Sequence, residues 1–359
     1  MSMIVRRLAV LVALVLVADL VTAGVIGTRG SASTGTTTPS TLPTTMAPTT
    51  TTTSTTAAPV GIYPLTGLPA ASSAELMRPA LSIKIDNAAD ARPQSGLDAA
   101  DIVTEEVVEG GLTRFLATYQ SQDAASVGPI RSARPVDTDL LTELGGGLFA
   151  YSGGAAGVVD QIRARSGAIL LTPEAGSLTF HRVASRRAPA NLYSSTALLY
   201  AAGAARAPDL GPPPPLFAYS PSPTSAYGPG TSVSLSFSGS ATATWSWNPL
   251  TNNYDRGQNG VPATELGGAP LTATDVVILS VATVGSGDYD VLGHENPLSV
   301  IIGSGPCWAL RDGVLIRGTW HRVSPEVQME LLDSEGQTID LQPGRTWLEL
   351  LPLPAVPVF

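Results

Sequence analysis

Six charged side chains crowd one thirty-residue stretch: Glu105, Glu106, Glu109, Arg114, Arg131 and Arg134. In an extended strand side chains two apart share a face, which predicts Glu105 and Glu109 on one side of it. Arg114, returning across Gly110-Gly111, is expected to face one of them. Two neighbouring carboxylates are the raw material of acid–base or glycoside chemistry. The same residues also suit a purely structural Arg–Glu network that fixes the hairpin. Arg131-Ser-Ala-Arg134 follows Gly128-Pro129 and precedes a helix expected to begin near Pro135. Guanidinium forks match carboxylate or phosphate, and a helix N-terminus adds backbone donors, so this segment is a candidate anion site. The competing reading pairs these arginines internally with Asp137 or Asp139. Asp86 and Asn87, with Arg92, are expected to line the same cleft at the end of a strand.

Other chemistries find less support. The three histidines, His181, His294 and His321, are scattered, and the single cysteine is Cys307. No metal site and no disulfide within the chain are expected. Pro306 directly precedes Cys307, and the thiol reads as a small buried hydrophobe rather than a nucleophile. Leu144-Gly-Gly-Gly147 and Gly285-Ser-Gly287 fit neither a dinucleotide nor a P-loop fingerprint, so no cofactor is expected. With 20 basic against 29 acidic residues, a net charge of −9 and Lys84 as the only lysine, nucleic acid is a poor partner. The five tryptophans fall in strand-like segments and are expected in the core.

The elements that must hold these residues are readable in part. Ala80–Ile85 alternates as a strand and ends at the turn-prone pair Asp86-Asn87. Asp101–Val108 and Leu112–Tyr119 form a hairpin around the glycine pair. Helices are expected over Pro135–Leu144, Val158–Ser166 and Ser194–Ala205, the last capped by Ser194 or Ser195. Gly211-Pro-Pro-Pro-Pro215 is stiff punctuation. Beyond it come strand-like runs within Thr231–Trp247 and at Val276–Val284, Ser299–Ile302, Val314–Trp320, Val327–Leu332 and Trp347–Leu351, separated by turn signals. The expected class is α+β: a mixed α/β N-terminal domain over 61–210, then a mostly antiparallel β-rich domain over 216–355.

The first sixty residues read as an address. Arg6-Arg7 precede an apolar run from Leu8 to about Gly27, broken by Asp19. Residues 1–30 are expected to be a signal-anchor or a cleaved signal peptide. Residues 31–60, almost wholly Thr, Ser, Ala and Pro, are expected to form a disordered tether. The rest of the chain is thereby placed outside the cytoplasmic membrane, as a single-pass anchored or a released protein.

Ordered blocks along the chain resemble the YerB-like bacterial envelope proteins, a family of unknown function with N- and C-terminal domains. They include Ile85-Asp86-Asn87, Ala91-Arg-Pro-Gln-Ser-Gly-Leu97, Val108-Glu-Gly-Gly-Leu-Thr-Arg-Phe-Leu116 and Val127-Gly-Pro-Ile-Arg-Ser-Ala-Arg-Pro135. The second half adds Tyr254-Asp-Arg-Gly-Gln-Asn-Gly260, Gly318-Thr-Trp320 and Gly344-Arg-Thr-Trp347. Many members are lipoproteins, and this chain departs from them in having no cysteine after its apolar run. The resemblance implies an exported two-domain envelope protein and brings no catalytic residues. The expected function is a membrane-tethered binding or accessory module for cell-wall polymer or wall-synthesis proteins. The alternative is an envelope glycan hydrolase or transferase using Glu105 or Glu109, with Arg131 and Arg134 binding an anion. Residues 1–60 carry a net +2, so the remainder carries −11, and any anionic ligand must be held by a local arginine cluster against the overall field.

Overall fold

Period-two alternation assigns each strand residue to one of two faces, and both faces are covered. The computed structural model describes residues 60–174, 177–222 and 228–359; the apolar N-terminal run and the Thr/Ser-rich stretch lie outside the described residues. Among the described residues no helix is long and apolar enough to cross a membrane.

Strands β1 (Leu81–Asp86), β2 (Ile102–Val107) and β3 (Thr113–Tyr119) form the antiparallel heart of the first half. β3 lies between the other two, with Glu106 opposite Arg114 on one side and Asp86 opposite Arg114 on the other. The β2–β3 connection needs left-handed backbone at Gly110 (φ 70°) and Gly111 (φ 69°), which explains the glycine pair. Helix α1 (Asp137–Glu143) follows, then β4 (Leu148–Ala150), α2 (Ala156–Arg165) and β5 (Ile169–Leu171). β4 joins β1 in parallel and β5 joins β4 in parallel.

Helix α3 (Thr196–Arg206) starts where Ser195 Oγ accepts a hydrogen bond from the Leu198 amide at 3.2 Å. Of the two serines expected to cap it, Ser195 does so. Ser195→Ala should cost about 1 kcal/mol in urea denaturation, the usual worth of such a cap. An unchanged midpoint would show that packing alone sets the start of the helix.

The later elements divide between two sheets. A smaller sheet contains β6 (Ser232–Ser236), β7 (Thr242–Asn248) and β8 (Asn253–Gln258), paired antiparallel in sequence order. The larger sheet takes β9 (Asp275–Tyr289), β10 (Glu295–Val300), β11 (Gly303–Arg311), β12 (Val314–Arg322), β13 (Glu330–Asp333) and β14 (Thr346–Pro352). β14 does not pair antiparallel with a sequence neighbour. It inserts in parallel between β9 and β2, with Glu349 beside Glu105. Segments before and after Gly211–Pro215 therefore share one twelve-stranded sheet among the described residues, its central order running β12-β11-β9-β14-β2-β3-β1-β4-β5.

Two apolar layers lie on its faces. Val277, Leu279, Leu348 and Leu350 pack with Leu140, Leu141, Val158 and Ile162 on the side of α1 and α2. Val276, Ile278 and Trp347 pack with Val233, Trp245 and Tyr254 of the smaller sheet. Trp245 and Trp347 stand edge to face at 5.1 Å, and Phe115 meets Trp347 at 5.5 Å. With strand outweighing helix, the described chain is α+β of mostly β character.

Candidate functional site

The alternation of β2 sends its two glutamates to opposite faces. Glu106 meets Lys84 of β1, whose Nζ also lies 2.7 Å from Asp137 Oδ1, and all three side chains are buried. Burial pushes the Glu106 carboxyl up to about 7, against the pull of Lys84. Glu105 turns toward the smaller sheet, where its Oε2 accepts from Arg256 Nη2 at 2.6 Å. Glu109 does not continue the strand, because β2 ends at Val107 and Glu109 begins a 3-10 turn. Its Oε2 takes two hydrogen bonds from Arg134, at 2.6 and 3.0 Å. The shared face expected for Glu105 and Glu109 is therefore absent, and Glu105 is fully buried.

Around Arg256 lies a buried polar cluster that no local pattern in the sequence marks. Its guanidinium sits 4.8 Å from the Trp347 ring and 5.4 Å from those of Phe115 and Trp245. Glu349, beside Glu105 across the parallel pairing, accepts from Trp245 Nε1 at 2.7 Å. Burial and the Glu105 charge hold the Glu349 carboxyl well above the usual carboxylate range. Asn87 belongs to this cluster rather than to a cleft: its Nδ2 donates to Thr113 Oγ1 at 2.7 Å and to Gln258 Oε1 at 3.0 Å.

Arg114, Arg131 and Arg134, by contrast, converge. They line one cavity of about 270 Å³, with Ser132, Gly154 and the tip of the β9–β10 hairpin, Tyr289–Leu292. Two of the three are matched by carboxylates: Arg131 Nε donates to Asp86 Oδ2 at 2.7 Å, and Arg134 holds Glu109. Asp86 is thus a buried counter-ion behind Arg131 and not a wall of the cavity. Arg114 has no carboxylate within ion-pair distance among the described residues. Its Nη1 donates to the Ser132 carbonyl at 3.0 Å, and its Nε is buried without a partner. Burial and the neighbouring Arg134 and Arg131 lower it to about 10, which still leaves it charged at neutral pH. Asp290, at the rim, turns inward to its own loop, accepting from the Leu292 and His294 amides at 2.8 Å each.

The helix contribution expected near Pro135 is already taken. Asp137 Oδ2 accepts from the Arg134 amide at 2.7 Å, so a protein carboxylate fills that position. The arginine side chains pair with Asp86 and Glu109, not with Asp137 or Asp139. Arg92 lies apart, in a second cavity. Cys307 is buried in β11, where burial pushes its thiol up to about 12, and His294 is on the exposed hairpin tip. Among the described residues no group of three His, Cys, Asp or Glu side chains is arranged to hold a metal ion.

Comparison with known proteins agrees with the resemblance carried by the residue blocks. The family model described as "Protein of unknown function (DUF3048) N-terminal domain" matches residues 65–209, and its C-terminal counterpart matches residues 233–348. "Putative lipoprotein YerB" of Bacillus subtilis (strain 168) is 26% identical over 304 residues, covering 80% of this chain and 86% of that protein. The crystal structure of the YerB protein from Bacillus subtilis matches with a TM-score of 0.71 at 25% identity, covering 83% of this chain and 99% of the other.

Proposed function

We propose, from the premise that this chain belongs to the DUF3048 family of proteins of unknown function, that it is an exported, membrane-tethered accessory protein that binds an anionic group of the cell-wall polymer. The basic N-terminal flank with its apolar run, and the lipoprotein name of the relative, support an extracytoplasmic station. One observation carries the binding reading: Arg114 is a charged, nearly buried arginine with an unpartnered Nε and no ion-paired carboxylate among the described residues, beside a cavity shared with two arginines. A buried unpaired charge is costly unless something completes it. With Arg131 and Arg134 paired and the rim carboxylate Asp290 turned to its own loop amides, Arg114 is the lining arginine left without an ion-pair partner among the described residues. That suits a single carboxylate or a phosphodiester, met by the planar fork of a guanidinium. No observation favours the hydrolase reading, since Glu105 and Glu109 lie in separate clusters and both are bound to arginines.

The test is cosedimentation of the protein with purified wall polymer at low and high salt. Arg114→Gln should weaken binding about tenfold or more, as expected for loss of a charge-assisted hydrogen bond. Arg131→Gln, at a more exposed position, should weaken it less. Melting curves guard against a folding defect. Binding by the well-folded Arg114→Gln protein equal to that of the parent would remove the proposal.

A further inference from the structure

A second cavity, of about 390 Å³, opens on the other side of the turn that follows β1. Asp86 backs Arg131 of the first cavity, and Ala89, three residues on, lines the second. The walls of the second are mainly apolar, formed by Pro93, Val261, Pro262 and Ala263. Its floor is polar but already occupied. Gln258 Oε1 accepts from Arg256 and Asn87, while its Nε2 donates to the Thr242 carbonyl and to Asn259. Gln94 Nε2 donates to the Asp86 carbonyl and to Asn87 Oδ1, both at 3.0 Å.

Arg92 is the exception. Its half-buried guanidinium lines this cavity and has no hydrogen-bond or ion-pair partner among the described residues. Glu105, the carboxylate whose charge acts on Arg92, is committed to Arg256 and Asn87. The pocket therefore has one guanidinium, a second polar group in the Thr264 hydroxyl and otherwise occupied polar side chains beside apolar walls. Its frame is fixed on both sides. Arg186 donates to the Asp90 and Pro93 carbonyls, and the opposite wall is held by the tight Asn259-Gly260 turn, both residues at positive φ.

We infer that this cavity is a second ligand site, taking a monocarboxylate on a small apolar body, such as the C-terminal end of a short peptide, with Arg92 as the carboxylate anchor. One fork matches one carboxylate, and a doubly charged phosphate would leave excess negative charge in an apolar pocket. The volume lies at the lower end of the range for small-molecule sites, which fits a dipeptide-sized ligand. The site stands apart from the three-arginine cavity and does not depend on it.

The experiment follows the arginine Nε–Hε signals of the full-length protein by NMR during titration with N-acetyl-alanyl-alanine, and separately with its C-terminal amide. The acid should shift the Arg92 signal saturably, and the amide should bind about tenfold more weakly or worse. Arg92→Gln should lose at least about tenfold in affinity for the acid. Arg114→Gln should leave the Arg92 titration unchanged even if the three-arginine cavity also takes up acid, which separates this site from the proposed wall-polymer site. The inference is overturned if the Arg92 signal does not move up to about 10 mM acid, a concentration at which even a millimolar site is mostly filled. It is equally overturned if acid and amide bind alike, or if folded Arg92→Gln binds as the parent does.

Discussion

Arg256→Met is expected to destabilise the fold by about 3–5 kcal/mol, the usual result of stranding one partner of a buried ion pair. Arg256 and Glu105 have essentially no exposure, and the 2.6 Å contact between them is direct. Methionine fills part of the space and keeps contact with Phe115, Trp245 and Trp347, so most of the loss comes from the abandoned Glu105 carboxylate. The neighbouring carboxyl should behave differently. The Glu349 carboxyl is held well above its usual range, and glutamine supplies a neutral group that can still accept from Trp245. Glu349→Gln should therefore change stability by less than about 1 kcal/mol, within the range of a preserved hydrogen bond. Combining Arg256→Met with Glu105→Gln should recover much of the first loss, because it removes the unpaired charge. Urea denaturation of the three variants gives the answer. If Arg256→Met proved mild, or Glu349→Gln as severe as Arg256→Met, this charge assignment would be wrong.

That cluster also shows where the sequence stopped being informative. The β2–β3 hairpin is legible because alternation and a glycine pair are local signals, and the structure returns it within a residue or two. The start of α3 is legible for the same reason, through Ser195. Which strand lies beside β2 is not local: the chain reaches it only at Thr346, more than two hundred residues later, and in parallel. Strand β8 hides its role by inverted polarity, since Tyr254, Arg256 and Gln258 point inward while Gly257 does not. Its parity was available, but polar residues at inward positions do not read as core until a buried partner such as Glu105 is known. Gly303-Ser-Gly-Pro306 opens β11 with residues that usually break strands, so that strand had no readable beginning. The arginines were a partial success of spacing. Arg131 and Arg134 share a cavity with Arg114, but the backbone donors expected beside them serve Asp137 instead.

The same reasoning makes Lys84 the other residue with a large expected effect. The chain has one lysine, and it lies fully buried between Glu106 and Asp137. Lys84→Met should cost about 3–5 kcal/mol, because it leaves two carboxylates facing each other away from water. Asp137 also receives the Arg134 amide, and Arg134 in turn holds Glu109, so the damage should reach the three-arginine cavity. The pH dependence follows from the raised Glu106 carboxyl. A carboxyl raised in the folded state favours folding below its unfolded pKa, and that contribution is lost as pH rises through the folded value, here about 7. The parent protein should therefore lose stability between about pH 5 and pH 8, and Glu106→Gln should flatten that slope. Without the lysine the Glu106 carboxyl rises further, so the deficit of Lys84→Met should be larger at the higher pH. Urea midpoints at the two pH values test this directly. A deficit for Lys84→Met that did not grow with pH would mean that Glu106 is not the group being charged. The lysine would then act by filling space and not by holding a proton balance within the sheet.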